Sequence, residues 1–266
     1  LRVSLTLERV RWLRFPDSGR YVRVNIPEFY LYGMENGVAS MRMKVCTGMR
    51  WRSMRIKGQP PINYQTPIVS GMITYMVLNP TWSVPPSIAV RETYFEALKD
   101  STWLLRHNYK VIMKETQAVV PSTSIKWKSY NPDKLPFRFI QDAGNGNALG
   151  RIKFIFPNPY DVYLHDTPKR MPFKLATRSV SHGCVRIEEP MRMVDFLQKN
   201  NTEWNRAKIE EYLQATKTTK WLTLQQKVPV YFDYNTVWVD ARDESQYRDD
   251  VYGKDAEVKK AFLAFK

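Results

Sequence analysis

The chain has 266 residues, of which 43% are hydrophobic and 13% aromatic, and it carries a formal net charge of +15. This length and apolar content exclude an intrinsically disordered chain and allow one substantial core with an insertion. No run of about 18 apolar residues is present, which argues against a membrane-spanning helix. Because Leu1 is not a methionine, we expect a mature or trimmed part of a longer protein, and the lack of a secretory signal carries little weight.

The excess of basic residues indicates an anionic partner. The basic side chains are scattered, and no helix-turn-helix, zinc-finger or RNA-platform pattern accompanies them. Nucleic acid and a polyanionic matrix such as bacterial cell wall both fit the charge, which does not choose between them. The two cysteines, Cys46 and Cys184, are far apart in the sequence and do not indicate a disulfide framework.

The N-terminal third predicts a β-meander. A half-buried strand is predicted over residues 21–32, because Val22, Val24 and Ile26 alternate with Arg23 and Asn25. Residues 35–37 contain Asn-Gly, which accepts the positive φ angles of a tight hairpin. Residues 38–45 then predict a returning strand with Met41 and Met43 on one face.

A further strand is expected over residues 71–78, ended by Asn79 and a proline. The pattern then changes, because apolar residues over Ala89 to Asp100 recur at helical spacing. Proline, asparagine and polar residues dominate the stretch that follows. We therefore interpret residues 83–143 as a partly helical insertion on a β scaffold.

Residues 150–166 return to a strand pattern that leads directly to His165. A helix is expected to begin at Pro190, since a first helical turn tolerates proline. A second helix is expected over residues 202–214 with Thr202 as its cap.

The C-terminal part predicts two strands joined by a short turn, residues 227–234 and 236–241. Together with the earlier elements, they indicate a mainly β fold with several helices.

Scarce reactive residues collect around Cys184, since two of the three histidines, His165 and His182, lie within twenty residues of it. A cysteine attacks as its thiolate and needs a nearby base, for which the pKa of histidine is suited. Gly183 leaves the backbone beside the sulfur unobstructed, so that N–H groups there could face a developing oxyanion. This set of residues suits acyl transfer by a thiol.

Three other interpretations fit the same residues. Cys184 could be a buried structural thiol, and the two histidines could be held by ordinary hydrogen bonds. His165, His182 and Cys184 could also bind zinc, which needs a fourth ligand in a structural site. That ligand would be one of Cys46, His107 and Asp166.

His165, fifteen intervening residues and the run from Ser181 to Cys184 resemble the catalytic motif of bacterial L,D-transpeptidases of the YkuD type, a histidine followed by Ser/Thr-His-Gly-Cys. Residues 79–89 and 146–168 resemble the same domain. Residues 246–255 resemble the C-terminal end of its YcbB-type branch. The resemblance covers most of residues 20–255.

The resemblance implies a fold and a domain organisation. The expected fold is mainly β with α, a YkuD-type β-sandwich that carries a partly helical lid insertion and C-terminal helices. Residues 1–19 would be a connecting segment and residues 256–266 a tail. Residues 20–82 and 144–255 would form the catalytic domain, and residues 83–143 a substrate-capping lid of the YcbB type.

The resemblance also implies an activity outside the cytoplasmic membrane, in the periplasm of a Gram-negative bacterium. Such enzymes attack the third residue of a peptidoglycan tetrapeptide stem, expel D-alanine and form a thioester. An amine of a second stem then resolves the thioester into a 3→3 cross-link. Donor and acceptor stems, carbapenem inhibitors and wall-synthesis proteins are the implied partners, with no nucleic acid, cofactor or metal.

Residue roles follow from the same resemblance. Cys184 would be the nucleophile, His165 the base and the Asp166 carbonyl its orienting group. His182, Gly183 and the Cys184 amide would frame the oxyanion site. The residues expected to contact the substrate are Ser181, Tyr163, Trp82, Asn147 and Arg186.

Two positions depart from the family pattern. Asp166 replaces a glycine that many members carry, and could add a charge near the base. Arg186 replaces an asparagine, and could bind a stem carboxylate as a bidentate pair or brace the loop. An L,D-carboxypeptidase, a D-amino-acid exchange enzyme and an inactive wall-binding module are alternatives to cross-linking.

Overall fold

The computed structural model describes residues 1–50, 63–199 and 201–264. Strands in this part of the chain, in chain order, are β1 (Arg20–Asn25), β2 (Tyr30–Glu35), β3 (Val38–Gly48), β4 (Val69–Leu78), β5 (Trp82–Ser83), β6 (Tyr109–Met113), β7 (Val119–Val120), β8 (Phe137–Gln141), β9 (Ile152–Ile155), β10 (Leu164–His165), β11 (Ser179–Ser181), β12 (Val185–Ile187), β13 (Lys220–Asp233), β14 (Val237–Val239) and β15 (Ser245–Tyr247).

The described α-helices are fewer than the strands. They are α1 (Arg2–Val10), α2 (Pro86–Ile88), α3 (Tyr94–Lys99), α4 (Trp103–Arg106), α5 (Pro190–Leu197), α6 (Arg206–Ala215) and α7 (Lys254–Ala264). A π-helical segment, Ala89–Thr93, joins α2 to α3, so the helix predicted over residues 89–100 is confirmed. Single turns of 3-10 helix are Ser122–Ser124, Trp127–Ser129, Pro132–Lys134 and Met171–Lys174.

A nine-stranded sheet, ordered β11-β3-β12-β10-β9-β4-β13-β1-β2, forms the scaffold of the described residues. Because β2 also pairs with β3, the sheet folds back on itself and its two layers face each other. Buried apolar side chains from these strands and from α5 and α6 fill the space between the layers. The prediction of a mainly β, sandwich-like fold with helices is confirmed.

The N-terminal β-meander is confirmed, with one difference in its strands. The sequence predicts a single strand over residues 21–32, but the chain reverses at residues 26–29 and makes β1 and β2 antiparallel neighbours. Phe29 takes a φ of 59° in this reversal, a backbone state that side-chain alternation does not reveal. The predicted hairpin has φ angles of 48° at Asn36 and 79° at Gly37, as a tight turn between twisted strands requires.

Two predictions in the second half of the chain were wrong in detail. The strand pattern over residues 150–166 is two antiparallel strands, β9 and β10, joined by a loop. Helix α6 begins after Asn205, whose Oδ1 accepts from the Lys208 amide at 3.1 Å, so Thr202 is not its cap. The two strands predicted over residues 227–234 and 236–241 are present as β13 and β14, and β14 pairs with β15 in a separate sheet.

Residues 83–143 contain more β structure than the sequence indicated. Strands β5, β8, β6 and β7 form a four-stranded sheet. This sheet and the helices between its strands share a hydrophobic cluster that includes Leu104, Trp127 and Phe139. The cluster is separate from the core of the scaffold.

No described helix combines the length and the apolar character that a bilayer crossing requires.

Candidate active site

The register of the main sheet places two candidate site residues, His165 and Arg186, in one row. Paired residues on six neighbouring strands form this row: Trp221, Val77, Lys153, His165, Arg186 and Cys46. Residues paired across a sheet project from the same face. The next row, which includes Phe154, Leu164 and Val185, is buried in the core. The row that contains His165 therefore projects from the opposite face of the sheet.

A cavity of about 1010 Å³ lies over this face. Its scaffold side includes Lys153, Tyr163, His165, Ser181, His182, Cys184 and Arg186. Its other side comes from residues 82–109 of the chain and includes Trp82, Pro85, Glu92, Trp103 and Tyr109. The structure thus brings most of the sequence-predicted residues together in one cavity.

His165 is buried at the end of β10 and has the geometry of a general base. Its Nδ1 lies 2.5 Å from the carbonyl oxygen of Asp166. A carbonyl oxygen only accepts hydrogen bonds, so Nδ1 carries the proton and Nε2 keeps its lone pair. Burial, reinforced by the positive charges of Arg186 and Lys153, lowers the pKa of His165 to about 3. The ring is therefore neutral at neutral pH.

Cys184 lies directly before β12, as a diagonal neighbour of His165 across the β10–β12 pair. Burial raises the pKa of its thiol above the ordinary value, while hydrogen bonding to Tyr163 and the charges of Lys153 and Arg186 oppose that rise. The resting group is a thiol, but the groups that stabilise a thiolate already surround it.

The loop before Cys184 is held by internal hydrogen bonds. Ser181 Oγ donates to the Cys184 carbonyl at 2.6 Å and accepts from the Gly183 amide at 3.2 Å. Thr66 Oγ1 donates to the Gly183 carbonyl at 2.7 Å. Gly183 has a φ of 117°, a backbone angle that residues with a Cβ rarely adopt. The Gly183 amide is thus hydrogen-bonded within the loop. A contact between Ser181 and the substrate stays a prediction.

His182 reaches across the cavity to the insertion. Its Nε2 lies 2.6 Å from Oε1 of Glu92, and its ring packs edge-on to Tyr64 with centroids 4.8 Å apart. Sequence reasoning missed Glu92. It lies in a predicted helix 90 residues before His182, and no local pattern ties the two together.

Asp166 has two separate functions in the structure. Its carbonyl holds the His165 ring, while its carboxylate accepts from the Arg151 amide at 2.9 Å and pairs with Arg170 at 2.9 Å. The backbone of Gly150 passes so close to this carboxylate that a Cβ there would clash with it. The charge that Asp166 adds near the base is therefore balanced by Arg170.

Arg186 and Asn147, both expected to contact substrate, lie in different surroundings. Arg186 lines the cavity, its burial lowers the pKa of the guanidinium, and its buried Nε has no hydrogen-bond partner among the described residues. Asn147 does not line the cavity, contrary to the expectation. Its Nδ2 donates to the Asp142 carbonyl at 2.9 Å, and its Oδ1 accepts from the Leu149 amide at 2.8 Å.

The remaining cysteine and histidine do not line the cavity. Cys46 is fully buried in β3, and burial raises the pKa of its thiol to about 11. His107 is exposed in the insertion, stacked on Trp103. Within residues 1–50, 63–199 and 201–264, no three His, Cys, Asp or Glu side chains are grouped so as to hold a metal ion.

Two sequence comparisons place this site among known proteins. The sequence model of the YkuD family, the L,D-transpeptidase catalytic domain, matches residues 19–219. A protein of Haemophilus influenzae is 28% identical to this chain over 257 residues. Its own name gives the L,D-transpeptidase assignment as provisional. The match covers 97% of this chain and 48% of that protein, so the chain spans about half the length of this relative.

Solved structures of L,D-transpeptidases are also similar, though distantly. L,D-transpeptidase 3 from Mycobacterium tuberculosis, in complex with a faropenem-derived adduct, is 13% identical, with a TM-score of 0.34 over 81% of this chain and 60% of that chain. The helical cell shape determining protein Pgp2 from Campylobacter jejuni is 13% identical, with a TM-score of 0.24 over 94% and 56% of the two chains. These likenesses are too weak to carry an argument, whereas the family model covers most of the chain. The protein belongs to the YkuD family of L,D-transpeptidase catalytic domains.

Proposed function

We propose that this protein is a peptidoglycan L,D-transpeptidase that forms 3→3 cross-links through a thioester on Cys184. The observation that carries the proposal is the state of His165. It is a buried, neutral imidazole with its Nδ1 proton held by the Asp166 carbonyl. It shares one face of the sheet and one cavity with a free cysteine.

The first half of the reaction uses the unprotonated Nε2 of His165. As the Cys184 sulfur attacks the carbonyl carbon of the third residue in a donor stem, Nε2 takes the thiol proton. The carbonyl oxygen becomes an oxyanion next to the Ser181–Cys184 loop. When the bond to the terminal D-alanine breaks, the imidazolium returns the proton to the leaving amine, and the thioester remains.

The second half repeats this chemistry with a new nucleophile. An amine of the acceptor stem attacks the thioester carbonyl, and Nε2 of His165 accepts a proton from that amine. The Cys184 sulfur leaves and recovers a proton from the imidazolium. Enzyme and base return to their starting states, and the net change is one amide bond exchanged for another.

The pKa shifts of the two groups favour a concerted start. Burial disfavours an isolated imidazolium at His165 and an isolated thiolate at Cys184. Proton transfer forms both charges together, so that each stabilises the other. Lys153 and Arg186 add positive charge beside the sulfur.

Residues 83–143 would act as the lid of a YcbB-type member of the family. Their side chains supply one wall of the cavity. A wall of this kind excludes water and favours an amine acceptor over hydrolysis. The net charge of +15 suits an anionic peptidoglycan surface in the periplasm, with wall-synthesis proteins as further partners.

Product masses test the proposal. Purified disaccharide-tetrapeptide is incubated with the protein and with Cys184→Ser, and the products are analysed by mass spectrometry. We expect a dimer of two donors less one D-alanine, formed only by the wild type. Tripeptide alone would instead indicate a carboxypeptidase, and incorporation of an added D-amino acid an exchange enzyme. Unchanged tetrapeptide would indicate an inactive wall-binding module.

A further inference from the structure

A carboxylate of the insertion contacts the loop that carries the nucleophile. Glu92 Oε1 lies 2.6 Å from Nε2 of His182, and both side chains are mostly buried, with 24% and 20% exposed. Glu92 belongs to the π-helical segment Ala89–Thr93. Such segments are rare and occur frequently at functional sites. The contact joins two parts of the chain that have separate hydrophobic cores.

The partner of His182 determines the state of its ring. An ionised carboxylate only accepts hydrogen bonds, so Nε2 of His182 carries a proton whether the ring is neutral or charged. The edge of Tyr64 packs against the same ring. Glu92 thus fixes both the tautomer and the direction of the imidazole, as an orienting carboxylate does for a catalytic or metal-bound histidine.

The orientation of His182 also affects the position of the nucleophile, because His182 is two residues from Cys184 in a short loop. Ser181 and Thr66 hold the Gly183 backbone and the Cys184 carbonyl from the scaffold side. Glu92 holds the loop from the cavity side.

We propose that Glu92 is a positioning residue for the transpeptidation reaction, through which the insertion orients the Ser181–Cys184 loop when it covers the cavity. The proposal rests on the function proposed above. Glu92 acts through His182 and does not itself touch the reacting atoms. The catalytic loop is thereby in its reactive arrangement when the cavity wall is in place.

Three substitutions test this role. Glu92→Met removes the acceptor but keeps a long, helix-favouring side chain, whereas Glu92→Gln keeps an amide oxygen that accepts from Nε2. Glu115→Met is the matched control, since Glu115 is an exposed residue of the same insertion outside the cavity lining. The measurement is the rate of carbapenem acylation of Cys184 against drug concentration, by intact mass.

We expect Glu92→Met to lower the limiting acylation rate about tenfold, because one hydrogen bond is lost. The half-saturating drug concentration should not change. Glu92→Gln and Glu115→Met should stay within about threefold of the wild type. A wild-type rate for Glu92→Met would overturn the proposal. An equal loss for Glu92→Gln would also overturn it, because the charge and not the hydrogen bond would then matter.

A double-mutant cycle with His182→Ala shows whether Glu92 acts through this histidine. In that background, Glu92→Met should cause no further loss, whereas additive losses would contradict the proposal. The acylation rate of the wild type distinguishes a failure of this inference from a failure of the proposed function. A wild type that is not acylated defeats the function itself, whereas an acylated wild type with an equally fast Glu92→Met variant defeats only the role of Glu92.

Discussion

At the scale of single residues, the two histidines of the motif have different partners and should differ in role. Nδ1 of His165 is held by a backbone carbonyl, which leaves Nε2 as a base, whereas Nε2 of His182 is bound to Glu92. His165→Ala should slow thioester formation at least about a hundredfold, because general-base catalysis is lost. His182→Ala should cost only about tenfold if it shapes the loop. Equal acylation by wild type and His165→Ala would end the base assignment.

The lowered pKa of His165 predicts an unusual pH dependence. Since its folded-state pKa is about 3, the base stays unprotonated as the pH falls through the ordinary histidine range. Since the pKa of Cys184 is raised, the thiol stays protonated at neutral pH. The carbapenem acylation rate should therefore be flat between about pH 5 and pH 8. An acid limb with a midpoint near the ordinary histidine pKa of about 6.5 would contradict this.

The site could be predicted from the sequence where its parts are local. His182, Gly183 and Cys184 are contiguous, and His165 lies within twenty residues of Cys184. The motif can therefore be found from their spacing in the sequence. Glu92 could not be found in this way, because its contact depends on how the insertion folds over the cavity. The prediction that Asn147 contacts the substrate was wrong, because Asn147 does not line the cavity. The family resemblance implied this contact, but the side-chain amide of Asn147 holds backbone groups of its own loop.

At the scale of elements, the register of short strands positions the chemistry. β10 contains only Leu164 and His165, yet it lies between β9 and β12 and has a fixed register with both. A shift by one residue would turn His165 into the core. Core packing of Leu164 therefore determines that His165 faces the cavity.

Strand reversals were the least predictable elements. The alternation of Val22, Val24 and Ile26 led to a single predicted strand over residues 21–32, but the chain reverses at 26–29, where Ile26 and Phe29 are both buried beside the turn. A pattern with a period of two reports which side chains are buried and not which strand they belong to. By contrast, Asn36-Gly37 marked its hairpin correctly, since the residues themselves favour the required φ angles.

The start of α6 gives a test with a natural control. Asn205 caps the helix through the Lys208 amide, whereas Thr202 lies before it. Asn205→Ala should lower the free energy of unfolding by about 1 kcal/mol, and Thr202→Ala should have little effect. Urea unfolding of both variants measures the difference. A larger loss for Thr202→Ala would place the helix start where the sequence pattern first indicated it.

At the scale of the whole molecule, the separate hydrophobic cores predict that the scaffold folds without the insertion. The scaffold cluster contains no residue of 83–143. Replacing this range with a short linker should therefore leave a cooperative β domain by circular dichroism. Its products should shift from cross-linked dimer towards hydrolysed tripeptide, since water reaches the thioester. Loss of folding on deletion would make the insertion part of the scaffold core and contradict its role as a lid.

The most direct test of the account is the location of a carbapenem adduct. The strained lactam carbonyl is open to attack by a thiolate, and we expect the adduct on Cys184 to hydrolyse slowly. Cys184 has a base beside it, whereas Cys46 is buried and its pKa is raised to about 11. Wild type and Cys46→Ser should each gain one drug mass on Cys184, with or without a chelator, and Cys184→Ser should gain none. Labelling of Cys46, or loss of labelling with the chelator, would contradict the assignment of Cys184 as a metal-free nucleophile.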